Sequence, residues 1–110
     1  MAKSVNILVY PVQDLGEAKI FYTAFLGVEP YADSPYYVGY RVGDFELGLD
    51  PNSKIGPIAY TDVDDIKASL NEMTNAGAEI VQDITDVARG LLIAQVKDTA
   101  GNVVGLRQHP

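Results

Sequence analysis

The sequence contains no cysteine, no tryptophan and only one histidine among its 110 residues. The absence of cysteine excludes disulfide bonds, thiolate zinc sites, iron–sulfur clusters and a cysteine nucleophile. The one histidine, His109, is the penultimate residue, and we interpret it as a solvated terminal side chain. A metal site would therefore have to consist of carboxylates, and the sequence has no acidic cluster of the calcium-loop kind.

Long hydrophobic runs and basic residues are also scarce. No apolar run approaches the roughly 20 residues that a membrane-spanning helix needs, and the first residues do not resemble a signal peptide. Eight basic residues against fifteen acidic ones give a net charge of -7, which disfavours nucleic acid and anionic membranes as partners and tolerates a cationic ligand. We expect a cytoplasmic protein with no membrane partner.

What is present is typical of one globular domain spanning residues 1–110. Hydrophobic residues make up 47% and charged residues 21% of the chain, which is close to the average for such domains. A chain of this length can bury a self-supporting core.

The first half of the chain predicts a strand, a helix and a hairpin. The apolar, β-branched run from Val5 to Val12 predicts a buried strand. Asp14 is a helix cap and Gly27 a helix stop. Between them, one apolar face is predicted to reach the core, through Leu15, Ala18, Phe21, Tyr22 and Phe25.

The hairpin joins residues 36–42 to residues 45–49 through Gly43-Asp44. A two-residue turn there places Arg41 opposite Glu46. One face is then apolar, and the other is polar and partly bare, consisting of Tyr37, Gly39, Arg41, Glu46, Gly48 and Asp50. Residues 33–35, which tyrosines flank, are interpreted as a loop at the rim of a cavity.

The second half repeats the first after a shift of about fifty positions. The repeat aligns Tyr10 with Tyr60, Asp14 with Asp64, Ala18 with Ala68, Gly27 with Gly77 and Glu29 with Glu79. It predicts a strand over 56–62, a helix that begins at Asp62 or Asp64, and strands over 79–84, 91–97 and 102–108. The chain therefore consists of two similar units, about 5–50 and 56–108.

These residues resemble a known family. The segments that carry the likeness are Val12-Gln13-Asp14-Leu15, Phe21-Tyr22, Leu26-Gly27 and Asp98-Thr99-Ala100-Gly101-Asn102 with the strand after it. They are similar to the vicinal oxygen chelate superfamily, which includes glyoxalases, bleomycin-resistance proteins and extradiol dioxygenases. The resemblance implies an α+β fold in which two βαβββ repeats form a curled mixed sheet with a half-open cavity. It also implies a homodimer.

Enzymes of this family hold a divalent metal through His, Gln or Glu side chains on matching strands. At the corresponding positions this sequence has Ile7, Pro57 and Gly105, and only Glu46 matches a ligand position. Side chains of Ile, Pro and Gly offer no donor atom, and one carboxylate does not hold a divalent ion with useful affinity. We therefore expect no metal cofactor.

The predicted function is metal-independent binding of a small aromatic or cationic molecule. The candidate ligand-binding residues are Tyr37, Arg41, Glu46 and Arg107, and no catalytic residue is predicted. An ordinary cross-strand ion pair of Arg41 and Glu46 is the simpler interpretation of that pair. Alternatives are a metal-dependent lyase, isomerase or dioxygenase of the same superfamily, and a structural or regulatory dimer. Whether the chain catalyses a reaction is left open.

Overall fold

The computed structural model describes residues 3–110, which divide into two compact units. The first unit is Asn6–Ile58, and the second is Ala59–Pro110 together with residues 3–5. The elements in chain order are β1 (Val5–Pro11), α1 (Leu15–Leu26), β2 (Ala32–Ser34), β3 (Tyr37–Val42), β4 (Phe45–Asp50), β5 (Ile58–Asp62), α2 (Ile66–Asn75), β6 (Glu79–Ala88), β7 (Leu91–Lys97) and β8 (Val103–Gln108). The predicted α+β class with two βαβββ repeats is confirmed. Within residues 3–110, neither helix has the length and apolarity needed to cross a membrane.

The sheet of the first unit has the strand order β2-β3-β4-β1. Strand β1 runs parallel to β4, and the other pairs are antiparallel. The predicted hairpin register is confirmed, with Val42 opposite Phe45 and Arg41 opposite Glu46. Gly43 provides the positive φ of 60° at the turn, a conformation in which glycine carries no Cβ penalty.

Strand β2 corrects the interpretation of residues 33–35 as a loop. Ala32 pairs with Gly39 and Ser34 with Tyr37, so most of this segment is an edge strand. Its three residues, Ala-Asp-Ser, are too few and too polar to show a strand period. Main-chain pairing with β3 therefore decides its conformation.

Helix α1 begins and ends as predicted, and Leu15, Ala18 and Tyr22 of the predicted face pack on the core, but the other two predicted residues do not. The Asp14 carboxylate accepts a hydrogen bond from the backbone N–H of Glu17 at 3.0 Å, and Gly27 ends the helix in the left-handed conformation. Phe21 and Phe25, predicted in the core, are 61% and 68% exposed and stack on each other. Positions 21 and 25 compete with 22 and 26 for the same three- and four-residue spacing. Tyr22 and Leu26 are the ones that pack on the sheet.

The core of the first unit lies between α1 and one face of the hairpin. Its buried residues are Val38, Tyr40, Leu47 and Leu49. The hydroxyl of Tyr40, which is fully buried, donates to the carbonyl oxygen of Lys19 at 3.0 Å and lies 2.8 Å from the Thr23 hydroxyl. These bonds satisfy the polar tip of an otherwise apolar side chain. With this face filled, the opposite face of the hairpin carries the polar residues.

The sheet of the second unit has the order β5-β8-β7-β6, with β5 parallel to β8. Helix α2 covers one face of it, over a core of Ile66, Leu70, Ala94, Val96 and Leu106. Strand β6 extends to Ala88 rather than ending at residue 84, because it remains paired with β7 across several register shifts. The alternation of hydrophobic and polar residues is interrupted at those shifts, so the strand predicted from the sequence is shorter than the observed one.

The predicted start of α2 at Asp62 or Asp64 is wrong. The cap is Asp65, whose carboxylate accepts from the backbone N–H of Ala68 at 3.1 Å. The two helix caps are therefore one position further apart than a shift of fifty would place them. Three aspartates lie in this region, and sequence alone does not distinguish which one adopts the extended cap conformation.

Adjacent aspartates allow a matched test of this assignment. Asp65→Ala should lower the free energy of unfolding by about 1 kcal/mol, because it removes the cap of α2. Asp64→Ala removes the same charge next to the helix and should cost less than about 0.5 kcal/mol. Urea unfolding of both variants measures the difference. Equal losses would contradict the assignment of Asp65 as the cap.

Candidate functional site

The candidate site is the face of the first-unit hairpin that points away from α1. Gly39 and Gly48 lie opposite each other at its centre, on β3 and β4. A Cβ on Gly48 would lie 2.1 Å from the Tyr37 hydroxyl, and one on Gly39 would lie 3.0 Å from the Tyr37 ring and 3.1 Å from the Tyr31 ring. A larger residue at position 48 would displace the Tyr37 ring, and one at position 39 would crowd both rings, so the two glycines allow the tyrosines to lie against the sheet.

We call Gly39 and Gly48 the glycine floor of this face. Three side chains form a connected group at its edge. The Tyr31 hydroxyl donates to Oε1 of Glu46 at 2.5 Å. The Arg41 guanidinium lies over the Tyr31 ring, with Cζ 4.3 Å from the ring centre, and its Nη2 is 3.9 Å from Glu46 Oε1. The Glu46 side chain is 12% exposed and that of Arg41 is 57% exposed. The group combines an aromatic surface with one shielded carboxylate.

Tyr31 was not among the predicted site residues. It lies fifteen positions before Glu46 and reaches it because its backbone N–H donates to the carbonyl oxygen of Gly39 at 2.9 Å. The signal in the sequence was the pair of glycines on an otherwise polar face. Bare positions in the interior of a strand indicate that something lies close above them, and the nearby tyrosines were candidates.

Three of the four predicted site residues, Tyr37, Arg41 and Glu46, lie on this one face. Arg107 lies in the second unit, where its guanidinium binds Asp62 through two hydrogen bonds, of 2.6 Å from Nε and 3.1 Å from Nη2. The Arg107 side chain is only 8% exposed. Its charge is therefore committed to a structural ion pair within β5 and β8.

The charge of Arg107 controls the titration of its partner. Burial alone would raise the pKa of the Asp62 carboxyl, but the hydrogen bonds and charge of Arg107 outweigh burial and lower the pKa below its ordinary value of 3.8. His109 adds to this effect, with Nε2 3.3 Å from Asp62 Oδ2. The penultimate histidine, interpreted from sequence as solvated, thus contacts Asp62 while its side chain is 55% exposed.

The positions where the family resemblance places metal ligands do not provide a donor set. Ile7 is buried and is paired with Glu46 across β1 and β4. Gly105 lies under the ring of Tyr60, since a Cβ there would be 2.2 Å from two ring carbons. Within residues 3–110, no three His, Cys, Asp or Glu side chains group as they would around a metal ion. With Pro57 at the remaining position, Glu46 is the only donor of the four, and these residues do not fit a divalent metal.

A family model described as the glyoxalase/bleomycin resistance protein/dioxygenase superfamily matches residues 4–106. The chain belongs to this superfamily. The comparison with curated proteins gives no match.

Several solved structures share this fold. A hypothetical protein from Bacillus halodurans has a TM-score of 0.80 at 16% identity, with 100% of this chain and 96% of that chain covered. Methylmalonyl-CoA epimerase from Mycobacterium tuberculosis has a TM-score of 0.74 at 16% identity over 100% and 93%. A superfamily member from Vibrio splendidus has a TM-score of 0.71 at 16% identity over 97% and 98%. At such identities the likeness establishes the fold and no activity.

Proposed function

We propose that this member of the superfamily binds a small aromatic or cationic molecule on the glycine-floored face of the first unit, without a metal. The observation that carries the proposal is the group of Tyr31, Arg41 and Glu46 beside the rings that lie on Gly39 and Gly48. Aromatic surfaces with a few fixed polar groups are typical of small-molecule sites. The ligand would stack on the tyrosines, and Glu46 would orient it through a charged hydrogen bond.

The superfamily position of Glu46 supports a second candidate, a metal-dependent lyase, isomerase or dioxygenase. Glu46 stands where a ligand is expected, and one similar solved structure is a methylmalonyl-CoA epimerase. Against this candidate, the other three positions carry Ile7, Pro57 and Gly105. Because none of these side chains has a donor atom, we favour binding without a metal. The homodimer stays a prediction.

Glu46→Gln tests the proposed role of the carboxylate. A thermal-shift screen of planar neutral molecules and aromatic cations, benzamidine among them, identifies a binder for calorimetry. Glu46→Gln should lower the affinity for an aromatic cation by about tenfold or more, because a hydrogen bond to a charged group contributes about 1.5–3 kcal/mol. The affinity for a neutral planar molecule should fall by less.

The matched control is Glu79→Gln, which removes an equal charge from an exposed ion pair with Lys97 in the second unit. It should leave binding unchanged. Equal affinities of the wild type and Glu46→Gln for the cation would contradict the assigned site. A broad screen without any binder would contradict the proposed function itself.

A further inference from the structure

Arg41 is held in an unusual way for one half of a surface ion pair. Its guanidinium lies over the Tyr31 ring, but Nη2 is 3.9 Å from the Glu46 carboxylate, which is longer than a hydrogen bond. Glu46 takes its short hydrogen bond from Tyr31 instead. A planar cation therefore occupies the space that Tyr31 and Glu46 border together.

We propose that Arg41 is an internal stand-in for the ligand, and that the ligand is itself a planar cation such as an amidinium or a protonated amino-heterocycle. Such a molecule would displace the guanidinium, stack on Tyr31 and place an N–H donor at Glu46. This inference rests on the proposed function and names the ligand class of the same site.

The contacts of Arg41 make this exchange inexpensive. The side chain is 57% exposed, so its charge is well solvated once it leaves Tyr31. Exposed ion pairs and exposed cation–π contacts each contribute little to stability. By contrast, the Glu46 side chain is 12% exposed and keeps its bond to Tyr31. Glu46 is thus shielded and held in place by Tyr31, whereas the Arg41 guanidinium is held only weakly.

The shape of the occupant selects the ligand class. A guanidinium is flat, delocalised and weakly hydrated, and it stacks on aromatic rings in a way that a compact ammonium does not. A flat cation can replace both of its contacts, whereas an alkylammonium replaces the charge alone. Neutral planar molecules would keep the stacking and lose the charged contact to Glu46. Planar anions would face the same carboxylate with the wrong sign.

Removing Arg41 tests the proposal directly. Arg41→Ala should bind benzamidine about two- to five-fold more tightly than the wild type, because the ligand no longer competes with an exposed cation–π contact. The affinity for neutral benzamide should change much less, and the affinity for benzoate should not increase. Lys54→Ala, which removes an equal charge from the exposed loop between β4 and β5, should leave all three affinities unchanged.

The outcomes separate this inference from the proposed function. Weaker or equal benzamidine binding by Arg41→Ala, when the wild type does bind benzamidine, would overturn the stand-in role and leave the binding site in place. An equal gain for Lys54→Ala would also overturn it, because net charge alone would then explain the effect. If neither the wild type nor any variant bound benzamidine or another planar cation of the screen, this inference would fail, whereas the proposed function would fail only if the whole screen gave no binder. Circular dichroism checks folding, and Arg41→Gln repeats the test should the alanine variant fail to fold.

Discussion

Gly105→Ala is expected to lower the free energy of unfolding by about 2–3 kcal/mol, or about 10 °C in melting temperature for a domain of this size. The added Cβ would lie 2.2 Å from two carbons of the Tyr60 ring, far inside van der Waals contact. Tyr60 is buried, and its hydroxyl accepts from Gln95 Nε2 at 2.8 Å. The ring therefore cannot move aside without breaking a hydrogen bond and disturbing the sheet.

Gly16→Ala is the matched control for this variant. A Cβ on Gly16 would be 3.4 Å from the Asp14 carboxylate, an ordinary contact. Alanine in a helix is better than glycine by about 0.5–1 kcal/mol, so this variant should be stabilised. A double-mutant cycle completes the test: in a Tyr60→Leu background, Gly105→Ala should cost clearly less. An undiminished cost in that background would show that the Tyr60 ring is not the cause.

Asp62→Asn is expected to lower the free energy of unfolding by about 2–3 kcal/mol, at or below the lower end of the range for breaking a buried ion pair, because Arg107 is buried while Asp62 is 33% exposed. The Arg107 side chain is 8% exposed and loses the partner that accepts from both Nε and Nη2. The buried guanidinium would then face a neutral amide instead of the carboxylate charge. Glu79→Gln, which opens the exposed pair with Lys97, should cost under about 0.5 kcal/mol by the same urea measurement. Similar costs for the two variants would contradict the structural role of the Asp62–Arg107 pair.

The cost of Asp62→Asn should also depend on pH in a fixed direction. The pKa of Asp62 is lowered from 3.8 in the folded chain, so its ionised form stabilises the fold at pH above the unfolded pKa. That stabilisation is lost as the pH falls through the lowered, folded pKa. The difference in free energy of unfolding between the wild type and Asp62→Asn should therefore be constant near neutral pH and should become smaller below about pH 4. A difference that widened in acid would contradict the sign of the shift.

The sequence predicted those parts of the fold that depend on local rules. The two-residue turn at Gly43-Asp44 determined the register of β3 and β4 and hence which side chains share a face. The cap at Asp14 and the stop at Gly27 determined the ends of α1. Strand β2 and the exposure of Phe21 and Phe25 on α1 were not predictable in this way. The conformation of β2 comes from pairing with β3, and two rows of apolar residues in α1 fit one helical period.

In the candidate site, too, the features that follow local rules were predictable and the long-range contacts were not. Tyr37, Arg41 and Glu46 were placed on one face because strand alternation and hairpin register are local properties. The contact between Tyr31 and Glu46 spans fifteen residues, and that between Asp62 and Arg107 spans forty-five. Such contacts depend on how distant strands are brought together. No local pattern in the sequence therefore indicates that Arg107 is paired with Asp62.

We expect the face bounded by Tyr31 and Glu46 to bind an organic molecule without a metal. Calorimetric titration of the strongest aromatic cation from the screen, into wild-type protein dialysed against EDTA and then supplied with a divalent metal, tests it most directly. We predict the same affinity in both conditions. Loss of binding after EDTA treatment, with recovery when the metal is restored, would contradict the claim.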